Sequence, residues 1–171
     1  MGFFQLRLKK VTFNRKFLIG KKIKKICRKY EVKFIINDDV QLAKELDADG
    51  CHLGQKDITL SQAREILKKK IIGITCHNSI KLVKQANKGK ADYIALGAFY
   101  ASKTKKTNFK ASLGILKHIR KITKTPIVAI GGINNRNYKK LLLNKANFLA
   151  ISGYIWKNKE LKPIEALKKL K

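Results

Sequence analysis

The sequence predicts an α/β fold, a barrel of the TIM (β/α)8 type, and three observations carry that reading. Apolar runs of strand length alternate with amphipathic segments of helix length along the whole chain, which is the rhythm of parallel βα units. Nearly every apolar run exits into polar groups, as the loops on one face of such a barrel do, whereas an open doubly wound sheet would collect them at one switch point. No G-x-G-x-x-G first turn is present. Strands are predicted at 3–8, 33–36, 50–53, 71–75, 93–96, 127–130 and 148–151, and helices at 15–30, 40–46, 60–69, 80–88, 112–121, 138–143 and 163–170. No Pro/Gly/Ser linker divides the 171 residues, so one domain over 1–171 is expected.

Along the first strand Gln5, Arg7 and Lys9 alternate, which places all three on one face. Inside a barrel that face is the interior, where an inward Arg and Lys call for an anion such as a pyrophosphate. On an edge strand the same charges would be solvated. The second strand runs Phe34-Ile35-Ile36 into Asn37-Asp38-Asp39, and the third runs Cys51-His52-Leu53 into Gly54-Gln55-Lys56-Asp57. Acid is scarce, with 11 Asp+Glu against 40 Lys+Arg, so acids gathered at two adjacent strand ends look placed. Asp39 can cap the helix that begins near Val40, which leaves Asp38 for another task. Asp57 is either its partner or a turn and cap residue before Leu60. Paired at adjacent strand ends, Asp38 and Asp57 suit Mg²⁺, which typically takes one or two carboxylates plus phosphate oxygens.

The fourth strand ends at Gly73-Ile74-Thr75 with His77 beyond it, offering a hydroxyl to a phosphate and a candidate proton carrier. His52, also at a strand end, is the better candidate for a hydrogen-bonded structural group. After the fifth strand, the loop 97–110 combines Ser102, Thr104, Lys105 and further lysines, the donors a lid over phosphates needs, or an exposed basic loop. Gly131-Gly132 after the sixth strand lets backbone N–H groups approach an anion closely. Ile151-Ser152 follows the seventh strand at the start of a helix, and barrels frequently bind phosphate at the loops after their last two strands.

The formal net charge of +29 raises nucleic-acid binding as a second class of function. Arg occurs only at 7, 15, 28, 64, 120 and 136, and no aromatics interleave with the basic runs as a stacking platform requires. Lysines on solvated helix faces are the favoured reading, with no specific nucleic-acid partner. No apolar run reaches the roughly 18–20 residues of a membrane span, and the N-terminus lacks a signal-peptide layout. Cys27, Cys51 and Cys76, an odd number at wide spacing, read as reduced core thiols with no zinc signal. The cytoplasm is the expected compartment, small phosphorylated molecules are the expected partners, and homo-oligomerisation is left open.

These clusters, in this order, resemble thiamine phosphate synthase, of the family that also holds the thiazole tautomerase. The matching stretches are Gln5-Leu6-Arg7 with Lys9, Ile36-Asn37-Asp38, His52-Leu53-Gly54-Gln55 with Asp57, Gly73-Ile74-Thr75 with His77, Ala91-Asp92-Tyr93-Ile94 with Gly97, Ser102 with Thr104-Lys105, Ala129-Ile130-Gly131-Gly132-Ile133 and Ile151-Ser152. The resemblance implies a TIM-barrel transferase that joins a pyrimidinylmethyl diphosphate to a thiazole phosphate and releases pyrophosphate by a dissociative path. It implies Mg²⁺ on Asp38 and Asp57, the diphosphate on Arg7, Lys9, Asn37, Thr75, Ser102, Thr104 and Lys105, and the thiazole phosphate on Gly131, Gly132, Ile151 and Ser152; Gln5 joins the substrate-binding set. The family has a strand and helix ahead of its Gln-Leu-Arg strand, so the expected fold is a barrel lacking the first strand and helix, from a truncated or mis-started chain or a seven-stranded remnant. Two alternatives stand beside the synthase: a thiazole tautomerase using His77 as acid/base, and a non-catalytic anion-binding remnant.

Overall fold

The computed structural model describes residues 2–101 and 108–170. The chain divides into two compact units, 1–75 and 76–171. Among the described residues no helix is long and apolar enough to cross a membrane.

In the first unit the order is β1 (Phe3–Leu6), α1 (Phe13–Lys29), β2 (Lys33–Asn37), α2 (Val40–Glu45), β3 (Gly50–Leu53), α3 (Leu60–Leu67) and β4 (Ile71–His77), the last of which runs on into the second unit. All four strands pair in parallel and in chain order. In register, Leu6 stands beside Ile36, Asn37 beside His52, and Leu53 beside Ile74, so β1, β2 and β3 end in steps of one residue while β4 runs on to His77. Phe34, Ile35 and Ile36 are each 1% exposed, the continuous burial of a parallel strand covered on both faces. β1 ends at Leu6, two residues before the predicted boundary. Alternation alone would have continued it, but Arg7 and Lys9 lie in the loop beyond, and Gln5 is exposed on the strand itself.

Local chemistry sets the helix starts. Asp39 caps α2 by accepting the Leu42 N–H at 3.0 Å. Thr59 caps α3 in a capping box: its hydroxyl accepts from Gln62 N–H at 3.3 Å, and the Gln62 side chain accepts from Thr59 N–H at 2.9 Å. Helix α1 packs closely because Gly20 leaves room for Leu46; a Cβ there would fall 2.4 Å from its Cδ1. Asp47 then ties α1 to the segments after α2 and before β4, with Lys24 at 3.0 Å, Arg28 at 3.4 Å and Lys70 at 2.5 Å. The hydrogen bond from Lys70, then that from Lys24, holds its carboxyl down to about 2.

The second unit holds α4 (Ile80–Lys88), β5 (Tyr93–Gly97), α5 (Leu113–Ile122), β6 (Ile127–Ile130), α6 (Tyr138–Leu143), β7 (Phe148–Ala150), α7 (Gly153–Trp156) and α8 (Pro163–Lys168). Its strands β5, β6 and β7 are again parallel and in chain order. β5 is buried throughout, whereas β6 and β7 turn Ile130 (40% exposed) and Phe148 (43% exposed) outward. Ile94, Leu96, Leu116, Ile119, Ile127 and Leu141 form the core. The short helix α7 falls where the sequence places a helix start after Ser152.

All three cysteines are buried and outside any disulfide, as core thiols should be. Burial pushes the Cys51 and Cys76 thiols up to about 12, which removes them as nucleophiles.

Candidate active site

The first unit brings its predicted acids and cations together. The turn after β2 carries Asp38 at φ 67°, the left-handed region that Asp and Asn tolerate best among residues with a side chain. Its N–H donates to the His52 carbonyl at 2.8 Å, which ties the turn to β3. Its carboxylate is paired with the Lys9 ammonium and hydrogen-bonded to Asp57. Asp57 in turn accepts the Gly54 N–H at 2.7 Å, closing the loop after β3. Because Thr59 caps α3, Asp57 serves that loop and Asp38 and is not the helix cap.

Two carboxylates in contact cannot both ionise freely, and their environments split them. Burial pushes the Asp38 carboxyl up, but the hydrogen bonds from Lys9 and Asp57 and the charges of Lys9 and Arg7 outweigh it. Asp38 therefore lies below its ordinary value. Asp57 is raised, by burial first and then by the charge and hydrogen bond of Asp38, against the opposing Gly54 N–H and Lys9. Asp38 is thus the readier of the two to ionise and Asp57 the more reluctant, and a cation between them would favour the ionised form of both. Among the described residues no group of three or more His, Cys, Asp or Glu is arranged to hold a metal ion, so a cation here would take two carboxylates and draw its other ligands from water or substrate. That donor set, all oxygen with open positions, fits Mg²⁺. Beside Asp38 opens a cavity of about 480 Å³, whose lining includes Lys9, Lys16, Asn37 and Asp39 together with the apolar Leu8 and Ile58.

Thr75 stands two residues before the end of β4 with its hydroxyl 2.8 Å from His52 Nε2. His52 is 7% exposed, in keeping with a hydrogen-bonded structural group. With the Nε2 proton donated to Thr75 Oγ1, the threonine hydroxyl keeps its own proton for an anion. The Gln55 amide donates to the Thr75 carbonyl, which fixes the strand end from the β3 side. Sequence reasoning gave no role to Gln55 or Lys16. Lys16 donates to Asp39 Oδ2 at 3.2 Å, from a helix whose lysines otherwise read as solvated.

In the second unit the glycine pair has a neighbour that the sequence did not reveal. Gly131 (φ 105°) and Gly132 (φ 61°) lie under the start of the loop after β5. Phe99 N–H donates to the Ile130 carbonyl at 3.1 Å, and Tyr100 N–H to the Gly131 carbonyl at 3.1 Å. A Cβ on Gly131 would fall 2.4 Å from Ala98 Cβ, and one on Gly132 would fall 2.3 Å from the Ala101 oxygen. The close approach these glycines permit is thus first of all an approach of protein backbone. Asn137 braces the turn, donating to the Gly132 carbonyl at 3.0 Å and accepting from Asn134 N–H at 2.9 Å. Ser152 is exposed just before α7, with Ile151 half-buried beside it.

The far end of the same loop returns through Ala111 N–H to the Ala98 carbonyl at 2.8 Å. His77, at φ 50°, stacks on Phe109 with ring centroids 3.9 Å apart. Ser102, Thr104 and Lys105 lie outside the described residues.

A family model described as "Thiamine monophosphate synthase" (TMP-TENI) matches residues 1–155. The chain is 69% identical over 171 residues to a thiamine-phosphate synthase of Pelagibacter ubique (strain HTCC1062), covering 100% of this chain and 83% of the relative. It is 39% identical over 166 residues to a thiamine-phosphate synthase of Erythrobacter litoralis (strain HTCC2594), covering 95% of this chain and 78% of that one. Among solved structures, a thiamine phosphate pyrophosphorylase from Pyrococcus furiosus superposes with a TM-score of 0.88 at 30% identity, covering 97% of this chain and 79% of that one. The predicted α/β fold of TIM type agrees with that likeness. On the strength of a model match over most of its length and of relatives that match 95–100% of it, the chain belongs to the thiamine monophosphate synthase family.

Proposed function

We propose that the protein is a thiamine phosphate synthase, a transferase that couples an aminopyrimidinylmethyl diphosphate to a phosphoethyl thiazole and forms thiamine phosphate and pyrophosphate. The observation that carries the reading is the Asp38–Asp57 carboxylate pair, held against Lys9 and within the field of Arg7. Mg²⁺ bound by this pair would neutralise charge on the departing diphosphate. Arg7, Lys9 and Asn37 would grip its oxygens, Thr75 would donate its hydroxyl, and Ser102, Thr104 and Lys105 would add donors from the loop after β5. Gly131, Gly132, Ile151 and Ser152 would seat the thiazole phosphate, and Gln5 would contact the pyrimidine substrate.

The bond from the pyrimidine methylene to the diphosphate oxygen breaks, and its electron pair leaves with pyrophosphate. The resulting cation, delocalised into the ring, accepts the lone pair of the thiazole nitrogen and a C–N bond forms. No protein nucleophile is required, in keeping with cysteines that stay protonated. Catalysis rests on leaving-group stabilisation and on holding the partners in line. We place the enzyme in the cytoplasm as one domain acting on small phosphorylated substrates. The tautomerase reading depends on His77 alone and has no use for the paired acids.

The test is direct: purified protein, both substrates and Mg²⁺, with thiamine phosphate followed by chromatography. Product that appears only with Mg²⁺ supports the synthase. Thiazole isomerisation without coupling, lost in His77→Ala, would establish the tautomerase instead.

A pH dependence follows from the raised Asp57 carboxyl. In cation-free protein a raised carboxylate contributes stability below its unfolded value of 3.8, and that contribution is lost as pH rises through the folded value. A cation needs the ionised form. Mg²⁺ should therefore raise the melting temperature most at neutral pH, and its effect should fade on acidification before the ordinary carboxylate range is reached. Thermal melts with and without Mg²⁺ across pH read this directly; a pH-independent increment would contradict it.

A further inference from the structure

Lys16 lines the cavity beside Asp38 but has no role in the coupling proposed above, and it lies in the first turns of α1, not at a strand end. Its ammonium sits 3.2 Å from Asp39 Oδ2, with both side chains about three-quarters buried at 24% and 26% exposure. Asp39 uses its other oxygen, Oδ1, to cap α2 through Leu42 N–H at 3.0 Å. One carboxylate therefore joins α1 to the first turn of α2. The residue before it is Asp38, in a left-handed turn, and the Asp39 N–H closes that turn onto the Asn37 carbonyl at 2.9 Å. Lys16, Asn37, Asp38 and Asp39 all line the cavity of about 480 Å³.

We infer that Lys16 is a positioning residue for the cation and diphosphate site, acting through Asp39. The ion pair fixes the C-terminal side of the Asn37–Asp38 turn, while the Asp38 N–H bond to His52 fixes its other side. It also pairs a third carboxylate, which would leave Asp38 and Asp57 as the two available to a cation. Other ion pairs of this unit, such as Lys24–Asp47 and Lys33–Asp49, bind segments away from this turn. The inference deepens the synthase reading and rests on it for the identity of the diphosphate.

The experiment compares wild type with Lys16→Ala, Lys16→Arg, Asp39→Asn and the double variant Lys16→Ala/Asp39→Asn. Calorimetry gives Kd for magnesium pyrophosphate, and steady-state kinetics give KM for each substrate. Asn caps a helix as well as Asp does, so Asp39→Asn removes the charge and keeps α2. Loss of a group that orients a ligating carboxylate typically costs about tenfold or more in affinity. Lys16→Ala and Asp39→Asn should each raise Kd and the diphosphate KM about tenfold and leave the thiazole KM unchanged. Lys16→Arg should recover most of the loss, and the double variant should be no worse than either single one.

Asp39→Asn behaving as wild type would overturn the inference, because Lys16 would then act on phosphate directly. So would single effects that multiply in the double variant, or a KM rise for both substrates together with a lower Tm. If Lys16→Ala does not fold, Asp39→Asn carries the same expectation. Wild type that binds magnesium pyrophosphate but forms no product removes the synthase reading and leaves the Kd comparison standing. Wild type that binds none overturns the inference itself.

Discussion

Asp38→Asn should lower kcat/KM for coupling by about 10²–10³, the cost of removing one preorganised charge from the centre that stabilises a leaving group. At 1.36 kcal/mol per tenfold this is roughly 2.7–4.1 kcal/mol of transition-state stabilisation. Asn is the right replacement, because the residue sits at φ 67° and Asn accepts that conformation as readily as Asp. Its amide can still meet Asp57, so the loss reports charge and not shape. Asp38→Ala would add backbone strain and blur the result. In the variant Lys9 loses its ion-pair partner and Asp57 loses the neighbour that raises its carboxyl. The Mg²⁺-dependent increment in Tm should therefore shrink along with activity. Unchanged coupling in a folded Asp38→Asn protein would remove the metal site from the mechanism. Steady-state kinetics and thermal melts together decide it.

Gly131→Ala should destabilise the second unit by about 3 kcal/mol, the upper range for a residue forced into a disfavoured backbone region. For a chain of this size that is a fall in Tm of roughly 6–12 °C. Two independent reasons coincide there. The φ of 105° disfavours any side chain, and the added Cβ would meet Ala98 at 2.4 Å. The loop after β5 would have to lift off β6, breaking the Phe99–Ile130 and Tyr100–Gly131 backbone bonds. Gly114→Ala is the matched control with the opposite sign. It lies in α5, where a Cβ would meet only Ser112 Oγ at 3.8 Å, so helix propensity should raise stability by up to about 0.5–1 kcal/mol. Equal effects at the two positions would show that glycine content, and not the loop contact, sets the result.

The contrast between these glycines bears on how far the site could be read from residues alone. The strand-to-helix rhythm was legible because burial on both faces demands unbroken apolar runs such as Phe34-Ile35-Ile36. Asp39 was legible as a cap, since capping is a local interaction three residues in reach, and that freed Asp38 for the pair. The contact between Asp38 and Asp57 followed from β2 and β3 being parallel neighbours that end within one residue of each other in register. What stayed hidden was anything that depends on a partner distant in sequence and common in composition. Lys16 is one lysine among many in α1, and only folding sets it against Asp39. Gln55 reaches a backbone carbonyl, which leaves no mark in the sequence. Gly131-Gly132 read as an approach for an anion, and the loop backbone that also lies against them left no mark in the sequence. β1 stops at Leu6 although Arg7 and Lys9 keep the alternating pattern, because pairing with β2 runs only from Phe3 to Leu6.

The sealed thiols have a practical meaning. With Cys27, Cys51 and Cys76 buried and outside any disulfide, and two of them held protonated far above neutral pH, thiol oxidants and alkylating reagents meet no exposed cysteine on the folded chain among the described residues. Inactivation by such reagents would track how often the chain opens, not how its chemistry runs. Each unit carries its own silent gauge of opening: Cys27 and Cys51 for the first, Cys76 for the second.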